Sequence, residues 1–146
     1  VIRAVVDTSV LVSAFVGDPD AGPGQLVEAW REQRFELVVS AQLLAELREV
    51  LTRPKLARWA DDGRAEAYVE AFAAQSVECA DAEEPPPSAV RDPGDDYLVD
   101  LLHRSGADVL VSVDRDLLDA QLAGVTVLDP AQFLARVASH ASDPAA

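Results

Sequence analysis

The chain has 146 residues, 49% of them hydrophobic and 26% charged, with a net charge of −14 at neutral pH. That length and balance describe one folded domain with its own core and exclude a disordered or fibrous chain. Cys79 is the only cysteine and there are two histidines, which excludes an intrachain disulfide and argues against a structural zinc site. The acidity opposes long-range attraction to nucleic acid phosphates, unless carboxylates hold divalent cations. No apolar run approaches membrane-spanning length, and no basic segment precedes a signal-type apolar run, so no membrane association is expected and the cytoplasm is the expected compartment.

Read in chain order, residues 3–6 (RAVV) form an apolar, β-branched run that predicts a short strand. Helical patterns follow over 9–16 and 24–34. A second strand is expected at 36–39 (ELVV), then helices over 41–52, 55–59 and 64–75. Residues 76–80 are a candidate short strand. The segment 81–96, DAEEPPPSAVRDPGDD, is linker-like in its prolines and acids. After it come a helix over 96–104, a strand over 108–112, a helix over 115–122, a strand over 125–128 and a helix over 131–138. Consecutive apolar positions in each strand suit a sheet covered on both faces. The alternation implies an α/β three-layer sandwich with a central, mainly parallel sheet. One domain is expected over residues 1–138, with a frayed tail over 139–146.

In a parallel sheet of this kind, ligands bind beyond the carboxyl ends of the strands, where the following helices begin. Asp7 directly follows the first strand, and Asp114 follows DVLVS in the same way. Asp96 stands in the first turn of one helix and Glu46 in the second turn of another. On the helical wheel of residues 40–51, Leu43, Leu44, Leu47, Val50 and Leu51 form one apolar stripe. Glu46 falls about 100° from its centre and Glu49 about 160°, so Glu46 borders the core while Glu49 faces solvent.

Each acid also has a plainer reading. Asp7 in DTS is a natural helix cap, as are Asp95 or Asp96 in DPGDDYL and Asp114 in SVDRDLL, where Asp116 favours the helix dipole. Glu46 taken alone reads as a boundary residue of an ordinary amphipathic helix. Capping alone does not account for four carboxylates directed to one edge. Two carboxylates about 4 Å apart repel by about 4 kcal/mol at an effective dielectric of about 20, so a cluster calls for protonation or for cations. Oxygen ligands of this kind suit Mg²⁺ or Mn²⁺. Ser9 or Thr8 is placed to hold a coordinated water or to orient Asp7.

Taken as an ordered set, these residues resemble the PIN-domain nucleases, and in particular the VapC-like toxins of bacterial toxin–antitoxin pairs. The resemblance runs from Val5 to about Leu134. It rests on VVDTSVLVSA (Asp7), ELVVSAQLLAELREVLTRPKL (Glu46), RDPGDDYLVDLL (Asp96), VLVSVDRDLL (Asp114, with Asp116 as an auxiliary) and the closing GVTVLDPAQFLA. Ser112 stands where the family usually has Thr and keeps the hydroxyl. Gly94 replaces a frequent Asp, and Val113 a frequent Gly or Arg. The resemblance implies a PIN-like fold and an endoribonuclease that hydrolyses single-stranded RNA with Mg²⁺ or Mn²⁺. In that reading Asp7, Glu46, Asp96 and Asp114 are both catalytic and metal-ligating. It further implies a homodimer and a cognate antitoxin as partner.

Competing readings are an RNA-processing nuclease of the same fold without an antitoxin, a non-catalytic protein-binding module, and a phosphotransfer domain with an Asp nucleophile. The last lacks a D-x-D motif and a lysine near the C-terminal strands, since Lys55 lies elsewhere. RNA must approach an acidic protein, and residues 48–64 are locally basic through Arg48, Arg53, Lys55, Arg58 and Arg64. Arg53, Lys55, Arg58 and Trp59 are the candidate RNA contacts, Trp59 by stacking on a base. The alternative for this stretch is a solvated helix pair with Trp59 in a core or dimer contact.

Overall fold

A computed structural model describes residues 1–60, 63–81, 96–120 and 124–141. The first strand, β1 (Arg3–Val6), carries three fully buried residues in succession, Ala4, Val5 and Val6. No alternation is left because both faces of the strand are covered. The same holds for β2 (Glu36–Val39) and β4 (Val109–Val111), the other central strands. The edges are β3 (Val77–Glu78) and β5 (Val127–Leu128), two residues each and only partly buried. The order across the sheet is β3-β2-β1-β4-β5, and every pairing is parallel. Helices flank this sheet, which gives the expected three-layer α/β arrangement.

The helices are α1 (Thr8–Val16), α2 (Gly22–Arg31), α3 (Ala41–Leu51), α4 (Ala57–Ala60), α5 (Arg64–Gln75), α6 (Asp96–Ser105), α7 (Arg115–Leu118) and α8 (Pro130–Ala141). Sequence and structure differ at several ends. The helix expected over 24–34 starts earlier, with Pro23 in its first turn, where its missing amide costs nothing. It also stops at Arg31, because Gln33 takes a left-handed φ of 60° and the Arg34 amide turns back to the Ala29 carbonyl at 3.0 Å. The segment expected as one helix over 55–59 is a 3₁₀ turn, Pro54–Leu56, followed by α4. α7 ends at Leu118, short of the expected 122. α8 runs on to Ala141, so residues 139–141 of the expected tail are helical. Residues 82–95, most of the linker-like segment, lie outside the described residues, as do 142–146.

The core is aliphatic at the sheet and aromatic between the helices. Trp30 of α2 stacks on Phe72 of α5 with centroids 4.4 Å apart, Tyr68 meets Phe72 edge-on, and Phe35 meets Phe133 of α8 edge-on. At the amino edge of the sheet Arg3 gathers the polar groups. Its side chain donates to Glu36 at 3.0 Å and to the Ser105 carbonyl at 2.9 Å, and its amide donates to Asp108 at 2.9 Å. Asp108 is therefore held at the edge opposite the acids discussed below. Among the described residues no helix is long and apolar enough to cross a membrane.

Candidate active site

The site is built at the carboxyl ends of the two central strands. The last register pair between β1 and β4 is Val6 with Val111. One step further along, the Asp7 amide still donates to the Val111 carbonyl at 2.9 Å, so Asp7 and Ser112 lie side by side as the strands end. Both are almost entirely buried. The Ser112 hydroxyl donates to Asp7 Oδ2 at 2.9 Å and accepts from the Asp114 amide at 3.0 Å. A hydroxyl has one proton to give and lone pairs to receive, and Ser112 uses both.

Asp7 is at once a cap and a site residue. Its Oδ1 accepts from the Ser9 amide at 3.4 Å, which makes it the N-cap of α1, and the helix dipole there favours a negative charge. Asp114 is the N-cap of α7 in the same way, accepting from the Asp116 amide at 2.9 Å. The capping reading of these two acids thus holds alongside their position on a shared rim. Capping fixes each carboxylate at the mouth between the strands.

Glu46 arrives from α3, whose N-cap is Ser40, its hydroxyl accepting from the Leu43 amide at 3.2 Å. Leu43, Leu47 and Leu51 are buried, as the wheel requires. Glu46 is itself exposed, yet it reaches inward: Thr8 Oγ1 lies 3.3 Å from Glu46 Oε1 and 3.4 Å from Asp7 Oδ1. The other Glu46 oxygen accepts from the Tyr97 hydroxyl. Glu49 points away and pairs with Arg53 at 3.0 Å.

Asp7, Thr8, Ser9, Val12, Glu46, Val50, Val113 and Asp114 line one cavity of about 520 Å³. A second cavity, of about 650 Å³ between α1, α2 and α5, contains none of these acids. The polar side chains lining the first cavity carry oxygens only, and Val12, Val50 and the exposed Val113 complete its lining. This donor set suits a hard divalent cation. The three carboxylates nevertheless line the cavity at intervals: among the described residues no group of three or more His, Cys, Asp or Glu side chains is gathered where a metal ion could sit. Asp96 begins α6, and its side chain lies outside the described residues.

Of the sequence candidates, the structure brings together Asp7, Thr8, Ser9, Ser112, Glu46 and Asp114. Asp116 is exposed beside Asp114 and does not line the cavity. Among the candidate RNA contacts, Lys55 is exposed, Arg53 is paired with Glu49, and Arg58 covers the Trp59 ring at 4.1 Å from its centroid. Trp59 is half-buried and packs against the core. The sequence reading missed Tyr97. Its ring falls about 120° from the centre of the stripe formed by Leu98, Val99, Leu101 and Leu102, beside Asp96. That border position next to a candidate acid was the available signal.

A family profile described as PIN domain matches residues 3–116. Among curated proteins none matches the chain. The crystal structure of PAE2754 from Pyrobaculum aerophilum is similar in fold, with a TM-score of 0.60 at 20% identity over 95% of this chain and 90% of that one. PIN domains are in general nucleases that use divalent metals. Residues 3–116 span well over half of the 146, and with the five-stranded parallel sheet and its acidic carboxyl edge they place this chain in the PIN-domain family.

Proposed function

We propose that this protein is a Mg²⁺- or Mn²⁺-dependent endoribonuclease that cleaves single-stranded RNA, acting as the toxin of a toxin–antitoxin pair. The observation that carries the nuclease reading is the one cavity that Asp7, Glu46 and Asp114 line from three separate elements. Asp7, Asp96, Asp114 and Glu46 would hold the cation, with Asp116 as an auxiliary. A divalent cation, when bound, supplies charge against the phosphodiester oxygens and acidifies water.

The remaining work falls to the chain itself. Ser112 and the Ser9 amide hold Asp7 in one orientation, so no reorganisation is needed when charge arrives. Tyr97 holds Glu46, and the Thr8 hydroxyl lies between Glu46 and Asp7. Val50 lies near the end of α3, and the basic stretch with Arg53, Lys55 and Arg58 follows it directly. RNA reaching the acids would pass this stretch, its phosphates drawn by those cations and a base resting near Trp59. A homodimer and an antitoxin partner complete the reading on the strength of the sequence resemblance.

The test is cleavage of a single-stranded RNA by the purified protein. Divalent metal should be required, EDTA should abolish cleavage, and Asp7→Asn should remove it without unfolding the protein. RNA left intact by a folded, metal-supplied wild type would favour a binding module on the same fold.

A further inference from the structure

Glu46 is an exposed glutamate in the middle of α3, with three rotatable bonds between its backbone and its carboxylate. Such a side chain samples many rotamers, and fixing it costs conformational entropy. Here a hydroxyl from another element holds it: Tyr97, at the start of α6, donates to Oε2, while the Thr8 hydroxyl, at the start of α1, lies 3.3 Å from Oε1 and shares its one proton between Glu46 and Asp7. The Tyr97 ring packs against the core, so a rigid side chain with two torsions delivers its hydroxyl at a fixed reach.

The protein has two tyrosines, and the comparison between them is informative. Tyr68 is buried, and its hydroxyl donates to the Leu11 carbonyl at 2.7 Å, which ties α5 to α1 and serves the fold. Tyr97 is only half-buried, and water could satisfy its hydroxyl. Its bond to Glu46 therefore answers no demand of burial.

We propose that Tyr97 is a positioning residue: its hydroxyl fixes the Glu46 carboxylate at the cavity shared with Asp7 and Asp114, and so sets the affinity of the site for a divalent cation. The inference rests on the metal-dependent reading given above. A carboxylate oxygen that accepts one hydrogen bond keeps a lone pair for a cation. Partners that orient a ligand in this way commonly matter about 10–100-fold in metal affinity.

The experiment is titration of the metal-free protein with Mn²⁺ alone, read by the electron paramagnetic resonance signal of free Mn²⁺, for wild type, Tyr97→Phe, Glu46→Gln and the double variant. Tyr97→Phe should weaken Mn²⁺ binding about tenfold or more. Its melting temperature in EDTA should stay within about 2 °C of wild type. In the Glu46→Gln background the same change should add little, because Tyr97 acts through Glu46. Wild-type affinity in Tyr97→Phe overturns the proposal while leaving the metal site intact. So does an equal loss in both backgrounds, or a loss of melting temperature in EDTA large enough to account for the weaker binding. A wild type that binds no Mn²⁺ overturns both this inference and the reading beneath it.

Discussion

Ser112 and Asp7 are 105 residues apart in the chain and 2.9 Å apart in the structure, the serine hydroxyl donating to the aspartate carboxylate. The same hydroxyl accepts from the Asp114 amide at 3.0 Å. One oxygen atom thus links two candidate metal-ligand residues just beyond the carboxyl ends of neighbouring strands.

Replacing Ser112 by alanine removes that link. It leaves a buried carboxylate short of a donor and the Asp114 amide short of an acceptor, at a cost of about 1–3 kcal/mol. The melting temperature should fall and cleavage should drop with it. Ser112→Thr keeps the hydroxyl and should retain activity, although the added methyl enters a fully buried site. Thermal denaturation together with RNA cleavage checks both variants. Equal activity of the alanine and threonine variants would show that the hydroxyl does not organise the site.

Tyr68 makes a second prediction, about alkali. Burial pushes its phenol well above the ordinary value of 10.0, and the nearby Arg31 offsets only part of this. The folded protein therefore keeps the Tyr68 proton at pH values where the unfolded chain releases it. Stability from this group is complete below the unfolded pKa of about 10 and is lost as pH rises beyond it. The wild type should lose melting temperature above about pH 10. Tyr68→Phe should be less stable at neutral pH by about 1 kcal/mol, having lost the bond to the Leu11 carbonyl, and should show a flatter alkaline decline. Parallel alkaline slopes in the two proteins would remove Tyr68 as the cause.

Much of this architecture is legible in the sequence for simple reasons. RAVV ending on Asp7 announces a buried strand and the acid at its tip, since an apolar run with no alternation suits only a sheet covered on both faces. The stripe of Leu43, Leu47 and Leu51 likewise fixes which way α3 faces and sets Glu46 apart from Glu49. What the sequence withholds is register and reach. Nothing local says that Asp7 falls opposite Ser112, because that depends on which residues of β1 and β4 pair. Nothing local says that the hydroxyl of Tyr97 crosses to α3. The early stop of α2 was equally hidden, since Gln33 is an unremarkable helix former until it takes a left-handed φ.

The distinction between the two α3 glutamates gives a third test. Glu46 accepts from Tyr97 and lies within reach of the Thr8 hydroxyl at the cavity, whereas Glu49 forms an exposed pair with Arg53. Glu46→Gln should reduce cleavage about a hundredfold or more, the scale expected for loss of a charge that stabilises the transition state. Glu49→Gln should stay close to wild type, because exposed i,i+4 pairs contribute less than about 0.5 kcal/mol. Kinetics on one RNA substrate decides it. Comparable losses in both variants would mean that α3 presents a different face to the substrate.

Metal should also be visible in stability, without any RNA. In the folded protein the Asp7 carboxylate accepts from Ser112 and Ser9, and the Asp114 carboxylate from the Asp116 amide, so both are held at the cavity. The unfolded chain offers no such arrangement, and a cation that binds the folded state alone stabilises it by mass action. At a hundredfold excess over its dissociation constant the gain is about 2.7 kcal/mol, which for a domain of this size raises the melting temperature by roughly 5–15 °C. Asp7→Asn and Asp114→Asn should each reduce the rise, and Asp96→Asn should do the same if the start of α6 brings that carboxylate to the cation. Calorimetry in EDTA and in millimolar Mn²⁺ measures it for all four proteins. Identical melting temperatures for the wild type in the two solutions would mean that the carboxylates on this cavity do not hold a metal.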